Sequence, residues 1–90
     1  MEQELVSNYV ICRDNCELSY LESLAMNGLA TRADIENCDK KNFQRIVIEL
    51  INGDKITSEC RFKEEVSQSI RIINVYIAYA RQAKKDKNKE

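Results

Sequence analysis

DKKNFQRIVIELINGDKI, Asp39 to Ile56, decides the fold, because its letters support two different secondary structures. Wound as a helix, it sets Phe43, Ile46, Val47 and Leu50 on one face at the i, i+3, i+4, i+7 spacing of an amphipathic helix. Lys41 and Arg45 then point the other way, and Asn52-Gly53 ends the helix, since glycine adopts the left-handed cap. Drawn out as a strand, Gln44 to Ile51 alternates Ile46, Ile48 and Leu50 against Arg45, Val47 and Glu49. Asn52-Gly53 then becomes a hairpin turn, and the β-branched run RIVIELI favours extension. The neighbouring segments tip the reading toward helix, because two capped helices upstream need a third to close a small core. Ile48 counts against it, as it would lie on the outward side.

Upstream, Asp14 and Glu17 have the spacing of a cap pair. The helix that follows, roughly 15–27, has Leu18, Leu21, Leu24 and Ala25 on its buried side and stops at Asn27-Gly28. Thr31 and Asp34 repeat the capping pattern before a short helix containing Ala33, Ile35 and Cys38, and Asp39 caps the next helix, about 40–52. Residues 2–12 read as an N-terminal helix through Leu5, Tyr9 and Cys12, with an edge strand over NYVIC, 8–12, as the alternative. Downstream, Ile56, Ser58, Cys60 and Phe62 alternate with Lys55, Thr57, Glu59 and Arg61, which suits short strands.

From Lys63 the pattern is a long helix to about Ala83, with Glu64 and Glu65 in its first turn and Arg81, Lys84 and Lys85 near its end, complementing the helix dipole. Val66, Ile70, Ile73, Ile77 and Ala80 make one apolar stripe, and Ile72, Val75 and Tyr79 make a second. A small domain offers one core, so the second stripe, with Tyr76 beside it, is expected to be a two-fold dimer seam. Residues 84–90, KKDKNKE, read as a disordered charged tail.

Helix, short helix, helix with a basic outer face and glycine exit, then short strands: over about 14–62 this order resembles a winged helix-turn-helix DNA-binding domain. The resemblance implies an α+β, mostly helical fold, three helices plus a short β-hairpin wing followed by the long C-terminal helix. The alternative architecture is helices packed on a β-hairpin, 44–51 with 54–62. A single domain over 1–83 is expected, divided into the 2–12 helix, the 14–62 helix-turn-helix and wing, and the 63–83 dimerisation helix. The resemblance also implies a recognition helix carrying Lys40, Lys41, Asn42, Gln44 and Arg45, with Lys55, Arg61 and Lys63 on or beside the wing. Arginine can meet guanine bidentately, asparagine or glutamine can meet adenine, and lysine meets phosphate. Thr31 and Arg32 would hold a phosphate at a helix start. The expected function is that of a small dimeric, sequence-specific DNA-binding transcriptional regulator with double-stranded DNA as partner.

Composition narrows the chemistry. There is no His, Trp or Pro, and both glycines are claimed by turns, so histidine acid–base catalysis and glycine-rich phosphate loops have no material. Neither an enzyme nor a cofactor is implied. Net charge is −1, but residues 1–39 carry a net −6 and residues 40–90 a net +5, a split that can build one basic face. No apolar run approaches the ~20 residues that span a bilayer, and no secretory pattern opens the chain, so a cytoplasmic location is expected and no membrane partner. In that setting Cys12, Cys16, Cys38 and Cys60 read as reduced thiols, with disulfides or a thiolate metal site as alternatives and a hyperthermophilic source favouring disulfides. The alternative function is a phage- or plasmid-type interaction module or inhibitor that binds a host protein by strand addition or a helix face.

Overall fold

A computed structural model describes residues 10–89, with side chains over 10–83. Its elements are α1 (Leu18–Met26), β1 (Ala30–Asn37), β2 (Phe43–Leu50), β3 (Lys55–Thr57), β4 (Arg61–Phe62) and α2 (Lys63–Lys89). The strands form one antiparallel sheet in which β2 is central, with β1 on one side and both β3 and β4 on the other. This overturns the winged-helix architecture, because the segment expected to be the recognition helix is the middle strand of the sheet. The hairpin through Asn52-Gly53 is present, as part of a four-stranded sheet and not as a lone pair.

The extended state of 43–50 follows from what its side chains can bury. Ile46, Ile48 and Leu50 are sealed on one face, which a helix would have scattered around its circumference. The face opposite carries Phe43, Arg45, Val47 and Glu49 by the two-residue period of a strand. At the turn, Gly53 has φ +93°, Leu50 N–H donates to Asp54 O at 2.8 Å, and Asn52 Oδ1 accepts from Asp54 N–H at 3.0 Å. Side-chain capture of a nearby backbone N–H is how asparagine supports a turn.

β1 replaces the short helix expected over 31–38. Its register against β2 shifts between Ala30 and Arg32, so Ala30 faces Leu50, and Ala33 and Ile35 face Ile48 and Ile46. The bulge admits Ala30 and Ala33, three residues apart, to the same side. Thr31 caps nothing; its Oγ1 donates to Glu49 O at 3.1 Å.

Both helices cover the inner face of the sheet. Leu21, Leu24 and Ala25 of α1 join Val66, Ile73 and Ile77 of α2 and the isoleucines of β2 and β3 in one core. At about 1.5–3 kcal/mol for each fully buried large aliphatic side chain, this cluster is the main source of cohesion. Buried Ser58 is satisfied on both sides, accepting from Ile46 N–H at 2.8 Å and donating to Glu59 O at 3.0 Å. α1 ends where expected, with Gly28 at φ +76°. Its start differs: Glu17 precedes the helix without a side-chain cap bond, and Asp14 Oδ1 accepts from Thr57 Oγ1 at 2.9 Å.

All four cysteines are paired, Cys12 with Cys16 and Cys38 with Cys60, in place of the reduced thiols expected. The first bridge closes a tight loop that β3 holds from the side, through Thr57 N–H to Arg13 O at 2.9 Å and Cys16 N–H to Thr57 O at 3.1 Å. The second ties the β1–β2 loop to the approach of β4. The helix expected over 2–12 lies outside the described residues as far as Tyr9, and 10–12 are not helical. α2 continues past the expected end at Ala83, so the segment read as a disordered tail is helical to Lys89. Among the described residues no helix is long and apolar enough to cross a membrane.

Candidate interaction surface

The residues expected to contact DNA do not form one surface. Arg32, Arg45 and Lys55 project from the outer face of the sheet, where the two arginines each meet a carboxylate. Arg32 Nε lies 2.9 Å from Asp34, and an Arg45 terminal nitrogen 3.0 Å from Glu36. Lys55 stands opposite Glu49 in the β2–β3 register. Three cations among Asp34, Glu36 and Glu49 make a mosaic of alternating sign, the pattern that stabilises cross-strand neighbours and attracts no polyanion. Arg61 is held at the α2 start, bonding Glu65 at 3.0 and 3.4 Å, with Glu59 at 3.7 Å. The hydrogen bond from Arg61 lowers the Glu65 carboxyl below its ordinary range, and Glu65 raises Arg61 in turn.

The remaining set gathers at one tip. Lys40, Lys41 and Asn42 form the β1–β2 loop, and Lys63 joins them because its N–H donates to Asn42 O at 3.0 Å. Asn42 takes φ +70°, a conformation asparagine tolerates better than most residues. Gln44 is turned inward along the hairpin, its Nε2 donating to Asn37 Oδ1 at 3.0 Å. Lys40 Nζ sits 4.9 Å from the centre of the Phe43 ring, which packs 4.6 Å from the Phe62 ring. Sequence reading did not join Phe43 to Phe62; their partnership is a product of the β2–β4 register. Among the described residues Lys40, Lys41 and Lys63 make no ion pair, whereas Arg13, Arg32, Arg45 and Arg61 all do. The arginines of the expected set are thus paired and Gln44 is bonded to Asn37, which leaves Lys40, Lys41, Asn42 and Lys63 together at the tip.

The residues expected to form a dimer seam all lie on α2. Ile72, Val75 and Tyr79 lie together on the side of α2 turned away from the sheet and are 43, 48 and 69 % exposed. Tyr76, half-buried against the core, forms the border between the two sides. The stripe is anchored by a helix whose other side is sealed, since Val66 and Ile73 are fully buried. Ser69 Oγ donates to Glu22 Oε2 at 2.8 Å and pins α1 beside it. Arg81 donates to Thr31 O at 3.0 Å and fixes the same helix to β1. Ile72, Val75 and Tyr79 thus form an aligned, exposed apolar ridge, and isolated exposed apolar residues are common but aligned ones are not.

No protein-family model, no curated protein and no solved structure matches this chain.

Proposed function

We propose that this chain is a non-catalytic interaction protein that works through the outward ridge of α2, the kind of module that binds another protein by a helix face. The observation that carries this reading is the alignment of Ile72, Val75 and Tyr79 on a helix already pinned to its own domain from the opposite side. Sequence-specific regulation of transcription through a recognition helix is set aside, since 43–50 is a strand and its arginine is paired with Glu36. The two disulfides favour an oxidising compartment, or a hyperthermophile's cytoplasm, over the mesophilic cytoplasm where thiols stay reduced.

The test is site-directed photo-crosslinking in the source cell. A photoreactive phenylalanine analogue in place of Tyr79 is expected to give a covalent adduct, and the same analogue in place of Arg32, on the charge-paired sheet face, is expected to give none. Absence of any adduct from position 79 would remove the reading.

A second, weaker contact is supported by the unpaired lysines of the tip. Lys40, Lys41 and Lys63 fit the backbone of a nucleic acid, without base recognition. If all three meet phosphate, the logarithm of duplex-DNA affinity should fall with the logarithm of salt at a slope of about −3. A salt-independent affinity, or none at low salt, excludes it.

A further inference from the structure

We infer that the lysine tip takes an unpaired nucleic-acid strand, without regard to sequence, by laying phosphates against Lys40, Lys41 and Lys63 and stacking a base on Phe62. This rests on the phosphate contact proposed above for these lysines. It adds the aromatic ring that makes the ligand a single strand.

Two hollows meet at this end of the molecule, and Phe43 lines both. One, of about 350 Å³, is walled by Lys40, Lys41, Asn42 and Lys63. The other, of about 380 Å³, is walled by Cys60, Arg61, Phe62 and Glu65. In the second hollow Arg61 and Glu65 pair with each other. Phe62 packs on Phe43 with ring centres 4.6 Å apart, yet it is still 54 % exposed. The tip is also built before any ligand arrives. The Cys38–Cys60 bridge joins its two sides, Lys63 N–H donates to Asn42 O, and Cys38 N–H donates to Phe43 O, both at 3.0 Å. Backbone and rings therefore lose little freedom on binding, which is where preorganised sites gain affinity.

The chemistry of the two hollows selects the ligand. An acidic peptide would use the lysines and leave the ring idle. A DNA duplex also presents phosphates, but its base faces are hidden in the stack. A single strand alternates a phosphate with a flat π-face at every unit, and aromatic rings beside cations are how such strands are held. Gln44 is bonded to Asn37, so little remains here to read a base edge, and stacking tolerates any sequence because every base has a π-face. Asp39 and Glu64 adjoin Lys40 and Lys63 in the chain, so the positive field is local and the affinity salt-sensitive.

The experiment titrates the full chain into fluorescein-labelled oligothymidylate and into a duplex of equal length over a series of salt concentrations. The strand should bind more tightly than the duplex, and its slope of log affinity on log salt should be about −2, three contacts at about 0.7 each. Phe62→Leu keeps an apolar side chain beside Phe43 and should retain native circular dichroism. It should weaken the strand about fivefold or more, the loss of one stacked base, and leave the duplex unchanged. The chain contains no Trp, so Phe62→Trp introduces a sole indole. A stacked base should quench its emission, and inorganic polyphosphate should not. A strand that binds without quenching, a Phe62→Leu variant that binds it as the wild type does, or a duplex bound equally well would overturn the stacking and leave the lysine–phosphate contact standing. No binding of strand, duplex or polyphosphate at low salt would remove both. An emission shift to the blue on anionic phospholipid vesicles, with no response to the strand, would overturn the inference in favour of a membrane surface.

Discussion

The two sides of α2 differ in exposure far more than in composition. Val66, Ile70, Ile73 and Ile77 and the opposing Ile72, Val75 and Tyr79 are similar residues at similar spacing. Yet Ile73 is fully buried and Val75 is half exposed. What separates them is the sheet, which has one inner face to offer and is already covered by α1 and one side of α2. Hydrophobicity along a helix reports how much surface wants cover. It does not report whether the cover lies in the same chain.

The contrast can be broken by truncation on each side. Ile73→Ala should lose about 2–5 kcal/mol of stability in denaturant titration, as buried aliphatic truncations do. Val75→Ala, measured on the monomer, should stay within about 0.5 kcal/mol of the wild type, because it opens no cavity and alanine is the better helix former. Equal losses at the two positions would mean that the outward ridge is packed against its own chain. The smallest effect is expected at the head of the ridge. Arg61 lowers the Glu65 carboxyl, so this pair stabilises the folded state above the ordinary carboxylate range, and the contribution fades as pH falls through the lowered value. Glu65→Gln should therefore be slightly less stable than the wild type at neutral pH, flatten the acid limb, and converge with the wild type once pH has fallen through the lowered value. An unaltered acid limb would show that the pair is screened away at this exposed site.

Both helices were legible in the sequence; of the sheet, the hairpin over 44–51 and 54–62 stood only as the alternative reading, and β1 was read as a helix. α1 announced itself through Leu21, Leu24 and Ala25 and the glycine stop, and α2 through its long four-three repeat with acid at the head. β2 was disguised because Phe43 and Val47, on the outer face, complete a helical spacing with the inward Ile46 and Leu50. Phe43 is there to pack on Phe62, a contact made only once β4 has found β2. β1 compounded the error because Thr31 and Asp34 have the spacing of a cap pair, while on the strand Thr31 bonds Glu49 O and Asp34 pairs with Arg32. Cysteine pairing was equally out of reach, since four cysteines allow three connectivities and only the sheet brings Cys38 to Cys60. Of the expected contact residues, Ile72, Val75 and Tyr79 depended on local periodicity alone and lie exposed together on α2, while Tyr76 is half-buried against the core. The DNA set depended on a tertiary arrangement that the chain does not adopt, and it dispersed over the sheet face, the tip and the α2 start.

The bridge between Cys38 and Cys60 has one more consequence. With the backbone between them it makes a closed covalent ring, and the Asn52-Gly53 turn lies on that ring. A protease that cut this turn would open the ring without dividing the molecule, and the two lengths of chain would stay joined until the sulfurs were reduced. Damage at the tip of the hairpin is thus local by topology: the severed strands keep each other's address, and the core can re-form around them.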